Sequence, residues 1–114
     1  MDDGLKKILF IVNPISGKGK QRQIEALITR YLDHRLFDHT IQYTTGPGDA
    51  TTIARQAASD RYDVVVAVGG DGTVNEVTAG LVGSETALAI IPAGSGNGLS
   101  RHLKIPLNGV RAME

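Results

Sequence analysis

Three short stretches of this chain contain nothing but apolar residues, and each runs straight into a glycine-rich loop. Ile8–Val12 leads into Asn13-Pro14-Ile15-Ser16-Gly17-Lys18-Gly19. Val64–Val68 leads into Gly69-Gly70-Asp71-Gly72-Thr73-Val74-Asn75-Glu76, and Ala87–Ile91 into Pro92-Ala93-Gly94-Ser95-Gly96-Asn97-Gly98. A strand without polar alternation is buried on both faces and needs a layer above it and a layer below. Eight of the fourteen glycines sit in these three loops. Glycine lets main-chain N–H groups approach an anion closely, and a helix N-terminus just behind the loop adds partial positive charge. Three such turns on one edge of a sheet make a cradle for nucleotide phosphates.

The segments between the loops supply the outer layers. Ile24, Leu27, Ile28, Tyr31 and Leu32 recur at the spacing of one helix face, which predicts a helix over residues 20–35. Thr40-Ile41-Gln42-Tyr43-Thr44 alternates, as a strand wet on one face does. Gly46-Pro47-Gly48-Asp49 marks a turn and a helix start, followed by a small-residue stripe of Ala50, Ile53, Ala54, Ala57 and Ala58 that can pack close to a sheet. Val74, Val77 and Leu81 share a side of the helix opened by the second loop, with an end near Gly80 or Gly83. A short helix over residues 97–103 should stop before Pro106.

Strand and helix alternating four times define an α/β fold, a three-layer α/β/α Rossmann-like parallel sheet with right-handed crossovers. The alternating second strand belongs on an edge and the unbroken first and third inside, so the expected order is 2-1-3-4, with a switch point between strands 1 and 3. That order leaves the apolar fourth strand on the other edge, where further structure should cover it. Residues 1–114 read as one domain, and the tail from Leu107 to Glu114 is too short for a second.

Charge and cysteine content remove several function classes. Twelve basic and twelve acidic side chains cancel, so no long-range field draws nucleic acid or anionic lipid to the chain. The absence of cysteine removes disulfide and thiol chemistry and fits a cytoplasmic setting. The five-residue apolar run after Met-Asp-Asp-Gly-Leu-Lys-Lys is too short for a signal-peptide core or a membrane span. Work on lipid would therefore be done as a visitor to the membrane surface.

The loop spacings exclude the two common phosphate motifs. GxxxxGK[ST] would need glycine where Val12 and Pro14 stand, and no loop reads GxGxxG. In the second loop, Gly70, Gly72 and the first helical amides can bind phosphate oxygens, and Thr73 can cap the helix or donate to phosphate. Asp71 is out of place beside an anion unless a divalent cation or a proton transfer employs it. The plainer alternative is that Asp71 and Thr73 only turn and cap the chain, and Glu76 complements the dipole or closes a capping box. Ser16, Gly17 and the cations Lys18, Lys20 and Arg22 can serve phosphate or form a solvated face, and Asn97 is equally a good N-cap. His34, His39 and His102 have no ligand spacing and are expected at the surface.

The motifs Asn13-Pro14-x-Ser16-Gly17, Gly69 through Val77 and Ile91 through Asn97 resemble, in order and spacing, the catalytic domain of diacylglycerol kinases, shared with sphingosine, ceramide and bacterial lipid kinases. The resemblance runs over about residues 6–106, nearly the whole chain. It implies a lipid kinase that moves the γ-phosphoryl of ATP to a lipid hydroxyl with Mg2+. Asn13, Pro14, Ile15, Ser16 and Gly17 would wrap the phosphates, and Thr44 matches a threonine that contacts ATP in bacterial members. Gly70, Asp71, Gly72, Thr73, Val74, Asn75 and Glu76 would form the core nucleotide loop, with Gly94, Ser95, Gly96 and Asn97 as the third segment. Asp71 matches an aspartate tied to magnesium or, in sphingoid kinases, proposed as the base.

Ser95 stands where many members carry threonine, and Gly98 replaces an aspartate of many bacterial members, which tilts the substrate slightly toward sphingoid lipids. The family also carries a second, mostly β domain that supplies the lipid cleft. Its absence here implies a nucleotide-binding half with little activity alone, reaching the lipid substrate at the membrane surface through the missing domain. A homo-oligomer is compatible with this reading. NAD kinases and phosphofructokinases share a GGDG-type loop, and a non-catalytic nucleotide-binding or dimerisation module is the non-enzymatic alternative.

Overall fold

The computed structural model describes residues 4–14 and 20–92, without the side chains of residues 20–23 and 92. Strands β1 (Lys6–Val12), β2 (Phe37–Tyr43), β3 (Val64–Gly69) and β4 (Ala87–Pro92) alternate with helices α1 (Lys20–Tyr31), α2 (Asp49–Ser59) and α3 (Asp71–Leu81). All pairings are parallel and the order is β2-β1-β3-β4, as the burial pattern of the strands requires.

The two sheet faces carry separate cores. Ile8, Phe10 and Val12 of β1, with Val64, Val66 and Val68 of β3, pack against Ile28 and Leu32 on the α1 side. Leu9, Ile11, Val65 and Ala67 point the other way, onto Ala50, Ala54 and Ala57 of α2 and Val77 and Leu81 of α3. Neighbouring residues of β1 and β3 therefore serve opposite layers, which is why Ile8–Val12 and Val64–Val68 contain no polar position. Phe10 is fully buried, a side chain whose removal from water contributes roughly 2–3 kcal/mol. On the edge, β2 alternates between half-buried and exposed residues after a buried Phe37.

Two element boundaries differ from the sequence expectation. Helix α1 ends at Tyr31 and not near residue 35, because Asp33 redirects the chain. Its carbonyl accepts from the amides of Leu36 and Phe37, and its carboxylate accepts from the Arg35 amide at 3.0 Å and Arg35 Nε at 3.2 Å. The guanidinium and amide of Arg35 hold the Asp33 carboxyl below the usual carboxylate range. Strand β2 begins at Phe37, three residues before the alternating stretch, since Lys6 of β1 already pairs with Phe37 there. The helix expected over residues 97–103 lies outside the described residues.

The small-residue stripe of α2 meets a helix as well as the sheet. A β-carbon on Gly80 of α3 would lie 2.5 Å from the Thr51 carbonyl oxygen and 2.7 Å from Ala54 Cβ. Helices α2 and α3 thus run in backbone-close contact, and this fixes where their N-termini stand at the sheet edge.

Candidate functional site

The registers bring the strand C-termini to one rim. Val12 pairs with Tyr43 and with Val68, and Gly69 pairs with Pro92. The chain leaving each strand therefore starts from the same edge, where open parallel sheets carry their ligands. Two main-chain bonds continue this alignment past the strands: the Asn13 amide donates to the Val68 carbonyl at 3.1 Å, and the Thr44 amide to the Val12 carbonyl at 2.9 Å.

An open cleft of about 450 Å³ lies above this rim, lined by Asn13, Pro14, Thr44, Thr45, Gly46, Pro47, Ala50, Gly72, Thr73 and Glu76. Six of the residues expected from sequence are thus gathered around one space: Asn13, Pro14, Thr44, Gly72, Thr73 and Glu76. The remainder of the second loop surrounds them. Gly70 is the N-cap of α3, Asp71 is its first residue and exposed, Asn75 is exposed, and Val74 packs into the α2–α3 core. Ile15, Ser16, Gly17, Gly94, Ser95, Gly96 and Asn97 lie outside the described residues, as do the side chains of Lys18, Lys20 and Arg22.

Among the described residues, the N-terminus of α3 supplies hydrogen-bond donors at this rim. Gly70 is in an extended conformation, and no side chain caps the helix. The first helical bond runs from the Val74 amide to the Gly70 carbonyl at 3.1 Å. Among the described residues, the amides of Asp71, Gly72 and Thr73 have no acceptor, the condition in which a helix start offers its dipole and donors to an anion. Thr73 does not cap: it is buried, 7% exposed, with its side chain against Gly69. Asn75 and Glu76 fall in the second helical turn, so no capping box forms.

Glu76 instead reaches across to α2. Its Oε2 accepts from the Gly48 amide at 3.1 Å, and its carbonyl accepts from Thr51 Oγ1 at 2.8 Å. The turn it meets is braced from within by Asp49, whose Oδ2 accepts from the Thr45 amide at 2.8 Å and from Thr45 Oγ1 at 3.1 Å. Gly48 sits at φ 83°, a left-handed conformation that favours glycine. Thr45, Gly46, Pro47 and Ala50 were not among the residues expected to line a site, although their place just beyond β2 on the loop-bearing rim was a usable signal.

Beside the cleft, Tyr43 at the end of β2 donates its hydroxyl to Glu25 of α1. Burial and this carboxylate push the phenol up to about 12. Asp71 is not among the groups lining the cleft, and no group of three or more His, Asp or Glu able to hold a metal occurs among the described residues. With the described residues, a magnesium ion here would fit as a phosphate-bridged ion met by one carboxylate, a common arrangement for this cation. Of the histidines, His34 is exposed as expected. His39 departs from expectation: it is half-buried, its ring edge-on to Phe10 at 6.3 Å and to His34 at 5.3 Å. His102 lies outside the described residues.

A doubly wound parallel sheet with an uncapped helix N-terminus at its switch point defines a Rossmann-like α/β domain. The diacylglycerol kinase catalytic domain model matches residues 7–114, and the chain belongs to that family. It is 36% identical over 104 residues to a diacylglycerol kinase of Bacillus subtilis (strain 168), covering 90% of this chain and 34% of that protein. It is 37% identical over 113 residues to a diacylglycerol kinase of Staphylococcus aureus (strain Newman), covering 96% of this chain and 35% of the relative. A crystal structure of a diacylglycerol kinase from Bacillus anthracis str. Sterne superposes with a TM-score of 0.63 at 36% identity, over 98% of this chain and 39% of the other. The chain spans about a third of the length of the curated relatives it matches. No helix among the described residues is long and apolar enough to cross a membrane.

Proposed function

We propose that this chain is the nucleotide-binding part of an ATP-dependent lipid kinase that phosphorylates a lipid hydroxyl. The observation that carries the reading is the set of three amides at the start of α3 that have no acceptor among the described residues, beside a cleft that gathers the ends of β1, β2 and β3. ATP would supply the transferable γ-phosphoryl group, and magnesium its charge neutralisation. The chain's own contribution is placement: Gly72 leaves the cleft floor open, and the amides of Asp71, Gly72 and Thr73 hold phosphate oxygens. Asn13 and Thr44 bound the opposite side. Asp71, at the mouth of α3, is the carboxylate available either to the phosphate-bound magnesium or to the departing hydroxyl proton.

Family membership favours a lipid alcohol as acceptor over NAD or a sugar, and peripheral work at a membrane surface follows from that substrate. Adding ATP-Mg to the 15N-labelled chain tests the nucleotide part. Amide shifts are expected at residues 13–17, 44–48, 70–76 and 94–97. Shifts confined to the opposite rim, around Lys7, Tyr62 and Asp63, would sink the reading.

A further inference from the structure

Glu76 presents a physical problem. It places a carboxylate in the wall of a cleft whose other features suit a polyanion, and like charges repel. Its contacts resolve the difficulty. The carboxylate faces the N-terminal end of α2, where the helix dipole and the Gly48 N–H favour negative charge. The same residue's main-chain carbonyl takes the Thr51 hydroxyl one turn further into α2. No side chain of α2 itself caps that helix, so the N-cap amide of Gly48 relies on a residue 28 positions away. Asp49 secures the Thr45 side of the turn, leaving Glu76 to secure the Gly48 side.

We propose that Glu76 is a positioning residue that locks the Gly46-Pro47-Gly48 turn as the cleft wall, by accepting the Gly48 amide, and that it does not itself touch nucleotide or metal. The proposal rests on the nucleotide reading only for its consequence; the lock is a property of the nucleotide-free chain. It makes α3 a two-ended device. Its first turn offers the ligand amides that have no acceptor among the described residues, while its second turn holds the opposing wall at a fixed distance from them. Close packing at Gly80 keeps the two helices from drifting apart.

Two substitutions with crossed properties test it. Glu76→Gln removes the charge and keeps an acceptor oxygen at the same reach, whereas Glu76→Asp keeps the charge and shortens the reach by one methylene. Hydrogen exchange at the Gly48 amide of the nucleotide-free chain reads the lock. Glu76→Asp should speed it about tenfold, the scale of one lost hydrogen bond, and Glu76→Gln should leave it within about threefold of the parent. ATP-Mg affinity should follow the same order, with Glu76→Gln near the parent and Glu76→Asp about tenfold weaker. Gly48 exchange indifferent to Glu76→Asp overturns the lock. Affinity lost in Glu76→Gln with Gly48 exchange unchanged assigns the carboxylate to the metal or nucleotide and overturns it too. A parent chain that ignores ATP-Mg overturns the nucleotide reading, and Gly48 exchange then decides the lock on its own.

Discussion

A β-carbon added at Gly69 would lie 2.6 Å from Thr73 Oγ1 and 2.9 Å from Thr73 Cβ, while one at Gly70 or Gly72 would meet nothing within 4 Å. The glycines of one loop thus do different things. Gly69 lets the first turn of α3 settle directly on the end of β3, and the other two keep the approach to the helix amides clear. Gly69→Ala is expected to destabilise the chain by about 1–3 kcal/mol through overpacking, read as a lower urea midpoint with an unchanged m-value. His39 carries a second prediction at this scale. Burial holds its imidazole below the ordinary 6.5, with the neighbouring His34 acting in the same direction and Asp38 opposing. A folded value below the unfolded one means that the unfolded chain binds the proton more readily. The stability associated with neutral His39 is therefore complete above 6.5 and is lost as pH falls from there toward the folded value. Urea midpoints measured between about pH 7.5 and pH 5 should fall, and His39→Gln should flatten that slope.

Helices α2 and α3 show how far sequence patterns reach. The alternation in residues 40–44 and the unbroken apolar runs of β1 and β3 carry the strand order, because an edge strand tolerates polar positions and an inner one does not. The end of α1 was illegible: Tyr31 and Leu32 continue the apolar stripe, and only the Asp33 hydrogen bonds to Arg35 and the two following amides show where the helix stops. At the cleft, Asn13, Gly72 and Thr44 could be picked from motifs, but the partnership of Glu76 with Gly48 could not. It exists only once two helices with small residues at their contact come together. Gly80 is the point where that closeness is tested. In an exposed helix interior Gly→Ala gains up to about 1 kcal/mol. Here the added methyl would meet the Thr51 carbonyl oxygen at 2.5 Å, a backbone atom with little room to yield. Gly80→Ala should therefore destabilise by about 1–3 kcal/mol, and it should also disturb the Gly48 amide resonance, since the α2 N-terminus moves with the helix. A neutral or stabilising result would mean that the helices are free to separate.

At the scale of the molecule, the proposed nucleotide site shares its rim with the packing of α3 on the sheet, so one glycine can be used to pull binding and folding apart. A domain that binds nucleotide only when folded is stabilised by RT ln(1 + [L]/Kd), about 2.7 kcal/mol at a hundredfold excess over Kd. For a chain of this size that corresponds to a rise of roughly ten degrees or more in Tm with saturating ATP-Mg. Gly72 lies in the first turn of α3, lines the cleft, and has open space where a β-carbon would go. Gly72→Ala should leave the nucleotide-free chain as stable as the parent, or raise its stability by up to about 1 kcal/mol from reduced backbone freedom. In the proposed site the same methyl would stand where phosphate oxygens approach the helix amides, so the ATP-Mg-dependent rise should shrink to a few degrees at most. Differential scanning calorimetry of parent and variant, with and without ATP-Mg, separates the two effects in one experiment. A variant that keeps the full thermal shift would show that phosphate does not dock on the α3 amides, even if nucleotide binds elsewhere on the rim.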